Sequence, residues 1–481
     1  MDNAKQNNGI SLFALIAMVI TSAIGAGIFD LPTTLARAAT PGVTLLTWGI
    51  TGVGIMALAL SLKNLVLFKP ELEGVSDYAR AGFGDYVGFV SGWGYWLSAW
   101  LGNIAFATMM MSAVGYFFPS FESGNSWQAV LVASLLSWFL TWFVARGVES
   151  AAAINAVVTV CKLVPLAAFA LMAAISFKFD VFTAHFWSNF IVNTAGQVNF
   201  SGLTFTGPGS FMEQMKGCLM AMMWVFVGIE GAAMLASRAK KKSDAGKATV
   251  IGLISLLVIY VFLTMLPYGY LPQSELVKMK SPAILYLFQS MTGTLGGAFI
   301  ALGMIITIFG AWISWTILPS EATSLMTKQQ ILPSWFGVMN KNNAPANSLW
   351  LTQGFIQIFL ISILFTDQAY TFAYSLCTSA IIVCYFLVGA YQMKLGMQEK
   401  KAGWVVEGLV ALAFQLMAIL LAGLTYLWLT TVLYAIGLIF YFRARKEYGY
   451  EVSNHEKIAS VVLTLVAIGA IIALATGFIT I

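Results

Sequence analysis

Long apolar segments follow one another along almost the whole chain, and this succession limits the possible folds more than any other feature. A helix that crosses a bilayer needs roughly 20 apolar residues, and about thirteen such stretches lie between polar breaks. Only 9% of the 481 residues are charged, whereas soluble domains carry about 25%. The sequence therefore predicts an all-α polytopic protein embedded in a lipid bilayer. The predicted spans are 11–38, 41–67, 86–117, 127–146, 150–177, 212–237, 247–270, 295–325, 348–366, 369–393, 404–424, 426–443 and 458–479.

Basic residues indicate the orientation of these spans, because cytoplasmic loops carry an excess of Lys and Arg. With a cytoplasmic N-terminus and alternating spans, most of the 25 Lys and Arg fall on the cytoplasmic side, including the cluster within 238–247. The pattern predicts that the N-terminus is cytoplasmic. The net charge of +5 follows from this topology and requires no nucleic-acid partner.

The first span contains a pair of glycines near its middle, Gly25 and Gly27 on either side of Ala26. Glycine weakens a helix and lets a small ligand approach the backbone. If the helix unwinds here, amide groups at the start of the next half-helix can bind an anion such as a carboxylate. The alternative is a face of small residues for helix packing.

The sixth span has a similar interruption, in which Gly228 and Gly231 flank Glu230 and Trp224 lies one to two turns before it. An ionisable residue at membrane depth is a functional candidate, because burial of a charge is costly. Glu230 would bind a proton or respond to a substrate amine, or it would be a structural carboxylate that satisfies unwound backbone. Interruptions in corresponding positions of two halves point to a secondary-transporter site, and this pair suits an amino acid.

Other spans carry further polar and aromatic candidates. Tyr95 and Asn103 share roughly one face of the third span, and a mid-span Asn needs a hydrogen-bond partner. Trp312 and Trp315 of the eighth span can stack on a cationic side chain, although each can equally serve packing. Lys162 lies deep in the fifth span, where a charged amine needs a partner; the alternative is snorkelling to the surface.

Several classes of site and protein are disfavoured. The four cysteines lie in apolar segments without metal-ligand spacing, and the two histidines are far apart in predicted loops. No Walker-type phosphate-binding motif is present, so we expect no ATP-driven step. We therefore expect no metal, no cofactor and no enzymatic activity, and no filter-like repeat favours a channel. Asp30, just after the first break, either attracts cations or caps unwound backbone.

Three motifs together resemble the amino acid–polyamine–organocation superfamily, and within it the basic amino acid/polyamine antiporter family. They are 25–29, Tyr95 with Asn103, and Trp224 with Glu230 six residues later. The similarity runs along most of the chain and is especially clear over 92–103 and 224–231. It implies a leucine-transporter-like 5+5 inverted repeat with about thirteen helices, of which the first and sixth are broken. Repeat one would cover 11–177 and repeat two 212–393, with additional helices over 404–479, in one transporter domain, 1–481.

The resemblance also implies roles for individual residues. The backbone of the first break would take the substrate carboxylate, Trp224 would cover the substrate as a gate, and Trp315 would lie under a guanidinium, with Trp312 as the fallback. Lys162 departs from this antiporter pattern and is similar to a lysine of proton-dependent relatives, in which an amine replaces Na⁺. The predicted substrate-binding residues are Ile24, Ala26, Gly27, Tyr95, Asn103, Trp224, Gly228 and Trp315, and the predicted gating or coupling residues are Glu230 and Lys162.

The function that the resemblance implies is exchange of external arginine for internal ornithine, by alternating access, in a bacterial cytoplasmic membrane. The alternatives are a precursor/product exchanger of the histidine/histamine or lysine/cadaverine type, and a proton-coupled amino acid importer, which Lys162 would favour. The expected partners are small amino acid substrates and the lipid bilayer. A homodimer follows from family analogy alone.

Overall fold

The computed structural model describes residues 11–147, 149–187, 190–192, 198–200, 210–230, 240–366 and 368–479. Helices make up nearly all of this part, and the one strand pair described is the short antiparallel ladder β1 (Phe190–Val192) with β2 (Val198–Phe200). Gly231 of the second break and the basic residue Arg238 lie outside the described residues. The predicted all-α polytopic fold is confirmed.

The helices follow the apolar segments of the sequence. The first half contains α1 (Leu12–Ala23), α2 (Leu31–Ala38), α3 (Pro41–Phe68), α4 (Gly74–Phe83), α5 (Asp85–Val114), α6 (Trp127–Ala145), α7 (Glu149–Ile175) and α8 (Phe179–Ala184). The second half contains α9 (Phe211–Trp224), α10 (Lys242–Tyr270), α11 (Gln273–Leu276), α12 (Ala283–Thr292), α13 (Thr294–Lys328), α14 (Ala346–Ser362) and α15 (Ala369–Gln398). Three further helices follow, α16 (Ala402–Ala418), α17 (Leu424–Glu447) and α18 (Asn454–Ala475).

Within the described residues, 9 helices are long and apolar enough to cross a membrane when Ala402–Glu447 is counted as one. The predicted first and sixth spans correspond to shorter helices, α1 with α2 and α9, and the predicted fifth span corresponds to α7 (Glu149–Ile175). The first span is short in this count because its helix is interrupted, as the glycine pair predicts.

Helices α16 and α17 are two spans, although only a π-helical turn, Ile419–Gly423, joins them. Helix α16 runs antiparallel to α15, which is antiparallel to α5, and α17 is also antiparallel to α5. The chain therefore reverses direction at the π-helical turn. The contacts Ser98–Cys377 and Ser91–Cys384 fix the direction of α15 relative to α5. Gly389–Leu412 and Gly396–Val405 fix that of α16 relative to α15, and Trp93–Gly437 and Asp85–Arg445 fix that of α17 relative to α5.

The two halves repeat the same local arrangement. Helices α4 and α12 each have 10 residues. Each is followed by a glycine with positive φ, Gly84 at 92° and Gly293 at 82°, and then by a long helix, α5 or α13. Only glycine adopts this backbone without strain, so both turns depend on it. The matching turns support the predicted repeats 11–177 and 212–393, whose boundaries stay a prediction.

The packing of the helices repeats as well. Helix α3 packs on α10, α5 on α13, and α6 on α14, so each helix meets its counterpart five spans later. The pair α1–α10 corresponds to α9–α3, and the pair α5–α15 corresponds to α13–α7. Exchange of the two halves thus leaves these pairs of neighbours unchanged, and the two broken helices contact each other through Ser22 and Gly228.

Candidate functional site

The break in the first span separates α1 from α2. Helix α1 ends at Ala23, Ile24 is extended (φ −72°, ψ 95°), and a 3-10 turn, Gly27–Phe29, leads into α2. The Ile24 amide still donates to the Ile20 carbonyl at 3.0 Å, so of the predicted binding residues Ile24 offers its carbonyl and not its amide. The amides of Gly25, Ala26 and Gly27 donate to no acceptor in the described part of the chain. The backbone therefore has donors available here for a carboxylate.

The break in the sixth span begins where α9 ends, at Trp224. Gly228 has φ of 106°, a conformation that favours glycine. A Cβ added there would lie 3.1 Å from the Ser22 carbonyl oxygen, and the Ser22 hydroxyl donates to the Gly228 carbonyl at 3.0 Å. Gly228 thus serves close contact between the two breaks, which lie against each other as the sequence predicts.

Three aromatic rings meet beside the two breaks. The Trp224 ring centroid lies 5.9 Å from that of Trp315 and 5.9 Å from that of Phe106. Phe106 and Trp315 make an edge contact at 5.3 Å. Rings of this kind bury apolar surface and present faces that attract cations. The predicted gate and the predicted guanidinium partner are therefore brought together.

Glycines make this aromatic cluster possible. A Cβ added at Gly27 would lie 2.7 Å from Val225 Cγ1 and 2.8 Å from Trp224 Cδ1. A Cβ added at Gly102 would lie 2.7 Å from the Trp315 ring. Larger residues at either position would force a tryptophan to move, because such distances are below van der Waals contact.

The cavity between the breaks is nearly closed. Its volume is about 10 Å³, which is roughly the space of one water molecule. It is lined by Ser22, Ala23, Gly25, Gly27, Phe106, Trp224, Val225, Val227 and Trp315. No lining residue is charged, so a substrate cation would meet ring faces rather than a carboxylate. An amino acid enters only if lining side chains such as Trp224 move, and the structure thus represents an occluded conformation without room for substrate.

Trp224 is held in place by two tyrosines of α15. Its indole Nε1 donates to the Tyr370 hydroxyl at 3.2 Å, and its ring stacks on Tyr374 at 6.2 Å. Neither tyrosine is among the site residues predicted from the sequence. Their spacing of four residues places them on one helical face, and this is the signal that could have found them.

Asn103 lies on α5 next to Gly102 and is fully buried. Its side-chain Nδ2 donates to the Trp315 carbonyl at 3.1 Å, whereas Oδ1 has no partner in the described part of the chain. The hydrogen-bond partner that a mid-span Asn requires is therefore a backbone carbonyl of the eighth span. The remaining Oδ1 is an acceptor available to a donor-rich ligand, since a buried oxygen without a partner is costly.

Glu230 is 2% exposed and is surrounded by hydroxyl donors. Its Oε2 accepts from the Tyr385 hydroxyl at 2.6 Å and from the Gly228 amide at 3.2 Å. The hydroxyl of Tyr95 also bonds this carboxylate. Tyr95 therefore belongs to the Glu230 cluster and is not a lining residue of the cavity. Tyr385 is a further residue that the sequence reading missed, because it comes from a helix 155 positions later in the chain.

The other predicted residues lie away from the cavity. Lys162 is buried on α7, at 2% exposure, which excludes snorkelling in this conformation; three residues later, Pro165 packs on Gly303 of α13. Trp312 is fully buried but does not line the cavity, unlike Trp315. Asp30 accepts from the Ala283 amide at 3.3 Å and from the Thr34 hydroxyl at 3.2 Å, so it caps backbone and ties α2 to α12.

A family model described as amino acid permease matches residues 10–468. The chain belongs to this permease family. An arginine/ornithine antiporter of Latilactobacillus sakei is 52% identical over 478 residues, 98% of each chain. One of Lactococcus lactis subsp. cremoris is 50% identical over 475 residues, 98% of this permease and 90% of the relative. An arginine/agmatine antiporter of Chlamydia caviae is 33% identical over 484 residues, 98% of each. These relatives are transporters, so the predicted transport class is confirmed.

Proposed function

We propose that this permease exchanges external arginine for internal ornithine in a bacterial cytoplasmic membrane. The observation that carries the proposal is the cavity at the two breaks, where amides without an acceptor in the described residues lie beside the rings of Trp224, Trp315 and Phe106. The names of the relatives at 52% and 50% identity support the same substrate pair. The exchange needs no ATP, because the opposing gradients of substrate and product drive it.

The chemistry of the cavity supports arginine over other cationic amino acids. The amides of Gly25 to Gly27 would take the substrate carboxylate, and the ring of Trp315 would stack on the guanidinium. A guanidinium is planar and weakly hydrated, whereas the ammonium of ornithine is compact and strongly hydrated. An uncharged aromatic site therefore holds arginine more tightly than ornithine, which suits capture of the former and release of the latter. Asn103 Oδ1 would accept from the bound molecule.

Alternating access would centre on Trp224. In the occluded state its indole is bonded to Tyr370 and stacked on Tyr374. Movement of Trp224 away from Trp315 would open the cavity, and its return over the substrate would close it. The spans of α1, α3, α9 and α10 would rock against those of α5, α6, α13 and α14. The basic end of the bundle, where α15 ends beside Lys400 and Lys401, would face the cytoplasm by the positive-inside rule, with the N-terminus on the same side.

Uptake by proteoliposomes tests the proposal. Liposomes loaded with ornithine should accumulate labelled arginine, and empty liposomes should not. Lysine and histidine should compete weakly, and arginine accumulation against internal ornithine should need no imposed proton gradient. Arginine uptake without internal ornithine would contradict exchange. Uptake of histidine against internal histamine, or of lysine against internal cadaverine, with arginine ignored, would replace the substrate assignment.

A second candidate function is proton-coupled import, because Lys162 is buried within the bundle. A buried amine that gains and loses a proton would couple uptake to a pH gradient. This candidate predicts arginine accumulation in empty liposomes when a pH gradient is imposed. It also predicts that Lys162→Met removes this uptake while leaving exchange.

A further inference from the structure

Two buried glutamines, one on the helix that carries Tyr385 and one on the next helix, have no hydrogen-bond partner in the described chain. Gln392 of α15 and Gln415 of α16 are both 0% exposed, and neither the amide nitrogen nor the amide oxygen of either side chain is bonded. A buried polar group without a partner is costly, and most buried polar groups in proteins bond either to protein or to ordered water. Two whole amides without partners are therefore unusual.

Both glutamines lie in the seam between α15 and α16, where the backbones touch. A Cβ added at Gly389 would lie 2.8 Å from the Leu412 amide nitrogen, and one at Gly396 would lie 2.7 Å from that of Val405. Gln392 is three residues after Gly389, four before Gly396 and seven after Tyr385. These spacings place it on the same face of α15 as the two glycines and Tyr385. Gln415 is seven residues after Gly408, which also touches α15. The seam thus begins at Tyr385, a ligand of Glu230, and runs towards the basic end.

Two hydroxyls near the seam share this property. Ser379 Oγ of α15 and the Tyr434 hydroxyl of α17 are buried and have no partner in the described residues. Tyr434 reaches the backbone at Gly94, directly before Tyr95, where a side chain would collide with its hydroxyl. Unbonded polar atoms therefore occur on α15, which carries the Glu230 ligand Tyr385, and on its neighbours α16 and α17, and none of them lines the substrate cavity.

We propose that internal water molecules occupy this seam, bonded to Gln392, Gln415 and Tyr434, and give Glu230 a proton path to the basic end that avoids the substrate cavity. Water supplies both donors and acceptors, as unpaired amides require. The described titratable groups that face Glu230 are Tyr95 from α5, and Tyr385, Cys377 and Cys384 from α15. Among these described groups none is a cation, so the proposal assigns neutralisation of the carboxylate to a proton that arrives through the seam. The proton path rests on the proposed exchange function; the water does not.

Radiolytic hydroxyl-radical footprinting tests the water directly, because buried residues are oxidised only where water lies beside them. In purified protein we expect oxidation of Tyr385 and Tyr434, although they are 0% and 4% exposed. Trp48 is the control, because it is 1% exposed and its Nε1 is bonded to Thr264. Oxidation of the two tyrosines no faster than that of Trp48 would overturn the proposal, whatever the transport activity.

Substitution of the glutamines tests the proton path. In liposomes that exchange arginine for ornithine, the wild-type rate should adjust at once to a pH jump on the basic side. The double variant Gln392→Leu and Gln415→Leu should adjust at least several-fold more slowly, with an unchanged rate at constant pH. Glu230→Gln should abolish the response of the rate to the pH jump. Gln353→Leu is the control, because this buried glutamine lies on α14, outside the seam, and its loss should leave the response intact. Equal adjustment in wild type and double variant, or no pH response in the wild type, would overturn the path; absence of exchange in the wild type would instead contradict the proposed function.

Thermal unfolding of the two single variants tests the water site independently of transport. If water satisfies the amides, the leucine substitutions remove its partners and should lower the apparent melting temperature modestly. If the amides are dry, leucine removes an unpaired polar group and should raise it. A rise in both single variants would therefore overturn the water site.

Discussion

The two broken helices meet at one cavity but are built in different ways. The break after α1 is made of backbone and small residues, and its amides are available because nothing nearby in the described chain accepts from them. The break after α9 is held by side chains: Trp224 by Tyr370 and Tyr374, and Glu230 by Tyr385 and Tyr95. The first break thus presents backbone donors, whereas the second is held by side-chain hydrogen bonds and ring contacts. Substitutions should affect the two breaks differently.

The largest effect is expected at the first break, from Gly27→Ala. The added Cβ would lie 2.7 Å from Val225 and 2.8 Å from Trp224, so it displaces the second break from the first. A misplacement of about 1 Å at a reaction centre can cost about 100-fold, and we expect a loss of that order in the initial rate of arginine exchange. The matched control is Gly49→Ala in α3, where nothing lies within 4 Å. Equal rates in the two variants, at equal amounts in the membrane, would show that the breaks do not need this contact.

The next largest effect should distinguish the two tryptophans of α13. Trp315→Leu removes a ring from the cavity and should weaken arginine binding about tenfold, since a cation–π contact contributes roughly 0.5–2 kcal/mol. Ornithine binding should change less. Trp312→Leu is the control, because Trp312 is buried outside the cavity. Calorimetry on purified protein measures the affinity for arginine and for ornithine. A stronger effect of Trp312→Leu would place Trp312, and not Trp315, beside the guanidinium.

Loss of a hydroxyl from the Glu230 cluster should affect stability more than binding. Tyr385→Phe removes a donor 2.6 Å from the carboxylate, and such bonds contribute about 1.5–3 kcal/mol. We expect a lower apparent melting temperature, with arginine affinity reduced only a few-fold. Tyr260→Phe is the matched control, because this buried hydroxyl has no partner in the described chain. A larger loss of affinity than of stability would place Tyr385 in the substrate site.

The sequence predicts the breaks because their cause is local. Paired glycines and a lone acidic residue stand out within apolar spans, so Gly27, Gly228 and Glu230 could be found without a structure. The residues that complete the site are set by tertiary packing. Tyr374 and Tyr385 come from α15, and Phe106 is an ordinary apolar residue of α5 until it contacts Trp224.

The choice between Trp312 and Trp315 shows a second limit of the sequence. The two residues are three apart, so both lie on the same side of α13 to within a fraction of a turn. Only the rotation of the helix, which its packing on α5 sets, places Trp315 against Gly102 and the cavity. The role of Asp30 was equally undecidable, because its partner Ala283 is 253 residues away in the chain.

The smallest predicted effect concerns the one side-chain bond described between the two breaks. Ser22→Ala removes the donor to the Gly228 carbonyl, a neutral bond of about 1 kcal/mol, and leaves the glycine contacts in place. If the two breaks move as separate parts, this bond forms only in conformations like the one seen here. Ser22→Ala should then shift the balance towards open states by about fivefold and lower arginine affinity by a similar factor, without slowing maximal exchange. Ser255→Ala is the control, since its hydroxyl bonds only within α10. A fall in maximal exchange with unchanged affinity would mean that the bond persists throughout the cycle and that the breaks move together.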